Sequence, residues 1–173
     1  MRIAAPIAAA ATLLLAACSA IFSLSLLSCS ESPTEPRQRE PVPFVTVYVS
    51  SFSGVDARRG ELITDSGRWS AVWNEIHRRS SPLPPLPSVD FGSEMVLFAA
   101  LGQEPDACWS IGIESVEATG DRSLQVSVAE TRRPMSCVCL AVVVNPVHAV
   151  RLPRRDRSAS FRFDRRVLSG LCR

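Results

Sequence analysis

Three sulfur-containing side chains alternate along one short stretch of the chain: Met135, Cys137 and Cys139. Residues two apart in an extended strand point to the same face, and thioether and thiolate sulfurs are the ligands that select Cu(I). One interpretation is therefore a copper-handling site. The interpretation that we favour places the two cysteines in separate disulfides beside a core methionine, so that no metal is predicted.

Four cysteines lie beyond residue 43, and an even count in an exported chain indicates disulfides. Cys137 and Cys139 are not expected to bond to each other, because an extended strand holds their side chains too far apart. Two pairings remain open. The first joins Cys108 to Cys137 and Cys139 to Cys172, and the second joins Cys108 to Cys139 and Cys137 to Cys172.

A cysteine can also carry lipid, and two near the start of the chain have the required context. Leu15-Ala16-Ala17-Cys18 fits the lipid-attachment rule of exported bacterial proteins, and Leu26-Leu27-Ser28-Cys29 is a second candidate. We therefore predict a leader over residues 1–29 with the lipid on Cys18, or alternatively Cys29. An uncleaved membrane anchor is the remaining interpretation.

The leader also predicts where the domain is located. Residues 30–42 are rich in proline, serine and charge and predict a disordered tether. The folded part, residues 43–173, is then a single domain anchored on the extracytoplasmic face of the cell envelope. Neither candidate cysteine is followed by aspartate, which favours the outer membrane where the host has one.

Residue types that support catalysis are few. The chain has two histidines, His77 and His148, and no Gly-x-Ser-x-Gly elbow. A positive imidazole at His77 suits the end of a predicted helix. Carboxylates are scattered, and a glycosidase needs two of them about 5–10 Å apart. No catalytic residue and no cofactor are predicted, and an exported enzyme with a carboxylate site remains an alternative.

The charge balance excludes one class of partner. Nineteen basic residues, all arginine, stand against 17 acidic ones, so no strong field is available to attract nucleic acid.

Hydrophobic periodicity predicts the elements that position these residues. Apolar positions at 69, 72, 73 and 76 form one face of an amphipathic helix over 65–79, capped by Asp65 or Ser66. Apolar runs or alternation predict strands over 44–49, 62–64, 95–101, 109–116, 124–128, 138–144, 147–152 and 161–163. The run 95–101 indicates a strand covered on both faces, and slipping parity before Val116 indicates a bulge. The fold class is a β-rich α+β domain with antiparallel or mixed sheets of about six to eight short strands.

The order of several short motifs resembles a known family. These are the Trp69-x-x-x-Trp73 helix with a proline-rich loop after it, Val89-Asp90-Phe91, Glu94-Met95-Val96-Leu97, Cys108-Trp109-Ser110-Ile111, and Asn145-Pro146 followed by His148 to Pro153. Over residues 62–153 the chain resembles the C-terminal domain of the protease complex subunit PrcB family of bacterial lipoproteins. The family usually has Gly-Gly-Tyr where this chain has Ala107-Cys108-Trp109. The resemblance implies a non-catalytic partner of an exported protease complex.

Aromatic residues where a loop meets a strand often anchor protein partners. Trp109 follows a polar loop that contains Asp106, and Pro146 turns the chain after another predicted strand. We predict a lipid-anchored protein-binding module that contacts its partner through Asp106, Trp109 and Pro146.

Overall fold

The computed structural model describes residues 39–120, 122–155 and 158–169. The predicted leader, both lipid-attachment cysteines, residues 30–38 of the predicted tether and Cys172 lie outside the described residues. No helix in the described ranges is long and apolar enough to cross a membrane.

Eight strands and one helix make up the described part of the domain. They are β1 (Arg39–Pro41), β2 (Val45–Ser50), β3 (Arg59–Ile63), α1 (Ser66–Ile76), β4 (Glu94–Ala100), β5 (Trp109–Thr119), β6 (Ser123–Arg132), β7 (Val147–Pro153) and β8 (Ser158–Val167). One four-stranded sheet has the order β1-β5-β6-β8 and the other has the order β2-β7-β4-β3. Among the described strands only β6 and β8 pair in parallel, so the predicted β-rich α+β class with mixed sheets is confirmed.

The strand β4 lies between two apolar layers, as its continuous apolar run predicts. Met95, Leu97 and Ala99 face the core between the two sheets, and Val96 and Phe98 face the helix. All five are fully buried. Helix α1 therefore covers the outer face of the β2-β7-β4-β3 sheet, and the domain has three layers.

The helix follows its predicted pattern but ends earlier than residue 79. The Asp65 side chain accepts a hydrogen bond from the Arg68 backbone N–H, and Trp69, Val72, Trp73 and Ile76 are the buried face. His77 follows the last helical residue, and its ring packs on Trp73 and Tyr48. Burial lowers the pKa of His77, which corrects the expectation of a positive imidazole at this position.

The predicted tether is ordered at its end. Residues Arg39 to Pro41 pair with Glu117 to Thr119 of β5, and Val42 is buried in the core between the sheets. β1 covers only the last three residues of β5. The predicted bulge in β5 is present between Ile113 and Ser115.

Candidate functional site

The apolar run 138–144 does not form the predicted strand. Residues 133–143 form an irregular loop, here called the cystine loop, and only Val144 forms an isolated bridge, to Glu104. The Ala107 backbone N–H donates to the Leu140 carbonyl at 3.0 Å. The loop is thus fixed against residues 103–108, and it is not part of either four-stranded sheet of the described residues.

The cystine loop exposes its apolar side chains instead of burying them. Relative exposure is 80% at Met135, 96% at Val138 and 72% at Leu140, and Val142 and Val143 are also exposed. Single exposed apolar residues are common on soluble proteins, but a group of them indicates an interaction site. The sequence does not identify these residues as site residues, because their continuous apolar run is also typical of a buried strand.

A disulfide between Cys108 and Cys139 joins the cystine loop to the residue before β5, with 5.4 Å between the two Cα atoms. This is one bond of the second predicted pairing, and it excludes the first. Cys137 is also disulfide-bonded. The predicted Cys137–Cys172 bond remains a prediction, because Cys172 lies outside the described residues.

The bonded sulfurs remove the basis for copper binding at this loop. Asp106, Cys108 and Cys139 have ligand atoms within 4.8 Å of one another, but two of these three atoms are the sulfurs of one disulfide. A disulfide has no thiolate to offer a soft metal. Met135 is exposed and does not lie in a strand. It is therefore not the predicted core residue, and it does not share a strand face with Cys137 and Cys139.

Trp109 is half-buried beside the cystine loop and packs against the core between the sheets. The Arg165 guanidinium carbon lies 4.5 Å from its ring centroid, and that of Arg132 lies 5.8 Å away. Both separations are within the range of cation–π attraction. Trp109 therefore lies at the border of the core between the two sheets. Two arginines contact its ring, and part of the ring is at the surface.

Asp106 is occupied by groups of the protein itself. Its carboxylate accepts hydrogen bonds from the Cys108 backbone N–H and from Arg132, both at 3.0 Å. The hydrogen bond from Arg132 lowers the pKa of Asp106. This residue fixes the shape of the 103–108 loop, and its ion pair with Arg132 positions the guanidinium beside Trp109.

Two buried carboxylates complete an ion-pair network below the tryptophan. Glu130 is fully buried and accepts from Arg58 and Arg165, and Arg165 also donates to Glu104 at 2.7 Å. These ion pairs join four segments of the chain: the loop before β3, the 103–108 loop, β6 and β8. The 103–108 loop is also a neighbour of the turn before Pro146, because Glu104 and Val144 exchange two backbone hydrogen bonds.

Pro146 is buried, and its carbonyl accepts from the Leu101 backbone N–H. It therefore holds the base of the cystine loop and offers no surface to a partner. The start of β5, the ends of β6 and β8, and the cystine loop form one end of the domain, here called the Trp109 end. The structure brings Asp106 and Trp109 together there but leaves the exposed area to the cystine loop.

His148 connects the two sheets. Its Nδ1 accepts from the Ile113 backbone N–H at 2.8 Å, and its Nε2 lies 2.9 Å from the Thr46 hydroxyl. A ring that accepts at Nδ1 carries its proton at Nε2, so the neutral form is the one that fits. Burial lowers the pKa of His148. Both nitrogens are used structurally.

Comparison of the chain with family models, curated proteins and solved structures finds no match.

Proposed function

We propose that the protein is a lipid-anchored, extracytoplasmic protein-binding module whose partner contacts the cystine loop. One observation carries the proposal: the most exposed apolar side chains of this loop lie on a segment that a disulfide fixes in place. A covalently fixed loop loses little conformational entropy on binding, so more of the free energy of burial remains for affinity.

The charges beside the loop indicate the chemistry of the partner. Arg58, Arg132 and Arg165 are balanced by Glu104, Asp106 and Glu130. Arg133 forms no ion pair with any described residue, and a single carboxylate, Asp56, serves both Arg78 and Arg79. The surroundings of the loop therefore carry excess positive charge. The occupant that fits is a protein with an apolar patch bordered by carboxylates.

The chemistry of the described residues supports binding over the enzyme alternative. Hydrogen-bond donors lower the pKa of four carboxyl groups: Asp56, Glu75, Asp90 and Asp106. A general acid needs a raised pKa. His148 has both nitrogens engaged.

The more specific proposal is that the partner is an exported protease. It is supported by an order of motifs that resembles the PrcB family, and two of these motifs begin at Cys108 and Asn145, beside the cystine loop. Anchoring through Cys18 or Cys29 is supported by the two lipid-attachment motifs.

The test begins with capture of partners by the tagged full chain from its own membranes, followed by calorimetry with the identified protein. We expect Val138→Ser and Leu140→Ser each to weaken binding about tenfold or more, since full burial of a valine or leucine side chain contributes about 1.5–3 kcal/mol. Both side chains are exposed, so the melting temperature should change little.

The matched control is Leu86→Ser, which removes an exposed leucine from the proline-rich segment 82–87. That substitution should leave the affinity unchanged. Wild-type affinity in both loop variants would contradict the proposal, whatever protein had been captured. Binding of the chain to anionic lipid vesicles through the same two residues would instead make the loop a membrane-docking element.

A further inference from the structure

A cavity of about 210 Å³ opens between the cystine loop and the end of helix α1. Its apolar walls are Phe52, Ile76 and Val143, and its polar walls are Ser53, Arg79, Ser80 and Asn145. Phe52 is 60% exposed and Val143 is 55% exposed. The volume accommodates one aliphatic or aromatic side chain.

Backbone and side-chain hydrogen bonds hold the walls of this cavity. The Ser50 hydroxyl donates to the Phe52 carbonyl at 2.7 Å and accepts from the Phe52 backbone N–H at 3.0 Å. The Asn145 backbone N–H donates to the Ser51 carbonyl at 3.0 Å. These bonds fix the backbone of the cavity walls at Phe52 and Asn145.

One guanidinium at the rim is only weakly engaged. Arg78 donates to Asp56 through a short contact, whereas Arg79 reaches the same carboxylate at 3.3 Å and the Ser53 carbonyl at 3.4 Å. An arginine has five N–H donors, so Arg79 retains donors for another acceptor. The single negative charge of Asp56 does not neutralise both arginines.

We propose that this cavity receives an apolar side chain of the partner protein while Arg79 binds the carboxylate of an aspartate or glutamate beside it. The inference rests on the proposed function and names the chemistry that the partner presents at this point. Ser80 adds a hydroxyl that donates to no described residue and lines the same cavity. An arginine and a hydroxyl above apolar walls match an apolar residue next to an acidic one.

The probe for the test is N-acetyl-aspartyl-phenylalanine amide, and its matched control has asparagine in place of aspartate. Saturation-transfer NMR titrations use the full chain reconstituted in lipid nanodiscs. We expect the aspartyl probe to bind about fivefold more tightly than the asparaginyl control, the size typical of an exposed charged contact.

Three variants locate the effect. Arg79→Gln should remove the difference between the two probes, and Val143→Ser should weaken both probes alike. Arg68→Gln, which changes an exposed arginine of the same helix paired with Glu61, should change neither. All three side chains are at the surface, so folding is retained.

Equal affinity of the two probes for the wild-type protein, or an aspartyl preference that survives Arg79→Gln, would overturn the inference. If N-acetyl-phenylalanine binds and the aspartyl probe does not, the cavity takes a chain-terminal carboxylate, and this result also overturns the inference. Either result leaves the proposed function intact if Val138→Ser and Leu140→Ser still weaken the partner. If those two loop variants bind the partner with wild-type affinity, the proposed function is rejected, whatever the result of the probe titrations.

Discussion

Trp109 lies where the core, the ion-pair network and the cystine loop meet. Replacement of the ring by alanine removes its packing and both arginine contacts. We expect Trp109→Ala to reduce the free energy of unfolding by about 2–4 kcal/mol, mostly through lost packing. Chemical denaturation measures this loss.

Trp109→Phe is the matched control, because it keeps an aromatic ring between the arginines. It should cost less than half as much as alanine. An alanine variant with unchanged stability would show that the ring contributes to the surface and not to the core. Stability must therefore be measured before any effect of Trp109→Ala on partner binding is assigned to contact.

His148 predicts a dependence of stability on pH. Burial lowers its pKa, so the unfolded chain binds a proton more readily than the folded one. The stabilisation is fully present above the unfolded pKa of about 6.5 and is lost as the pH falls through the lower folded value. His77 shifts in the same direction, also through burial.

The free energy of unfolding should therefore decrease between pH 7.5 and pH 5, with a slope of at most about 1.4 kcal/mol per pH unit for each histidine. His148→Gln keeps an acceptor for the Ile113 N–H but does not titrate. This variant should show a shallower decrease over the same range. An identical slope in the variant would assign the pH dependence to other groups.

Two segments show how far hydrophobic pattern alone determines an element. The runs 95–101 and 138–144 are both continuously apolar, yet the first forms the interior strand β4 and the second is exposed at most of its positions, with Val144 buried. A strand needs hydrogen-bonded neighbours, and β4 has them in β3 and β7. The chain contains no local signal for the absence of such neighbours around the second run.

The helix and most strands are predictable because their patterns depend on near neighbours in sequence. The partner of Cys108 was narrowed to two cysteines by spacing, but the choice of Cys139 depends on how the chain folds. The role of Arg79 is likewise absent from the sequence pattern, because it depends on Phe52 and Val143, which are distant in sequence.

The disulfide should stabilise both the domain and the loop conformation. It closes a segment with a sequence separation of 31 residues, for which chain entropy predicts about 3–4 kcal/mol. We expect the double substitution Cys108→Ala with Cys139→Ala to lower the melting temperature and to raise proteolysis within the cystine loop. Limited proteolysis with mass spectrometry locates the cleavage sites.

Leu140→Ser provides the comparison for that experiment, since it changes the loop and keeps the disulfide. It should not increase cleavage. Equal resistance of the double alanine variant and the wild-type protein would show that hydrogen bonds such as Ala107 N–H to the Leu140 carbonyl suffice to hold the loop.

At the scale of the whole molecule, lipid attachment is the expectation that determines where binding takes place. Intact-mass measurement of the membrane-extracted protein should show an acylated cysteine at the new N-terminus, Cys18 or Cys29. Replacement of both by serine should release the protein or leave it unprocessed. Each single replacement serves as a control that identifies the site. A mature protein without lipid would contradict the prediction.

The parallel pairing of β8 with β6 has a practical consequence. Because both strands run toward the Trp109 end, Val167 pairs with Arg132, and the Leu168 backbone N–H donates to the Arg132 carbonyl. The described chain therefore ends at Ser169 beside the cystine loop, and a fusion or affinity tag joined directly there would shield the loop from a partner or a surface. A tag inserted in the turn between β5 and β6, at the opposite end of these strands, leaves that loop accessible to capture.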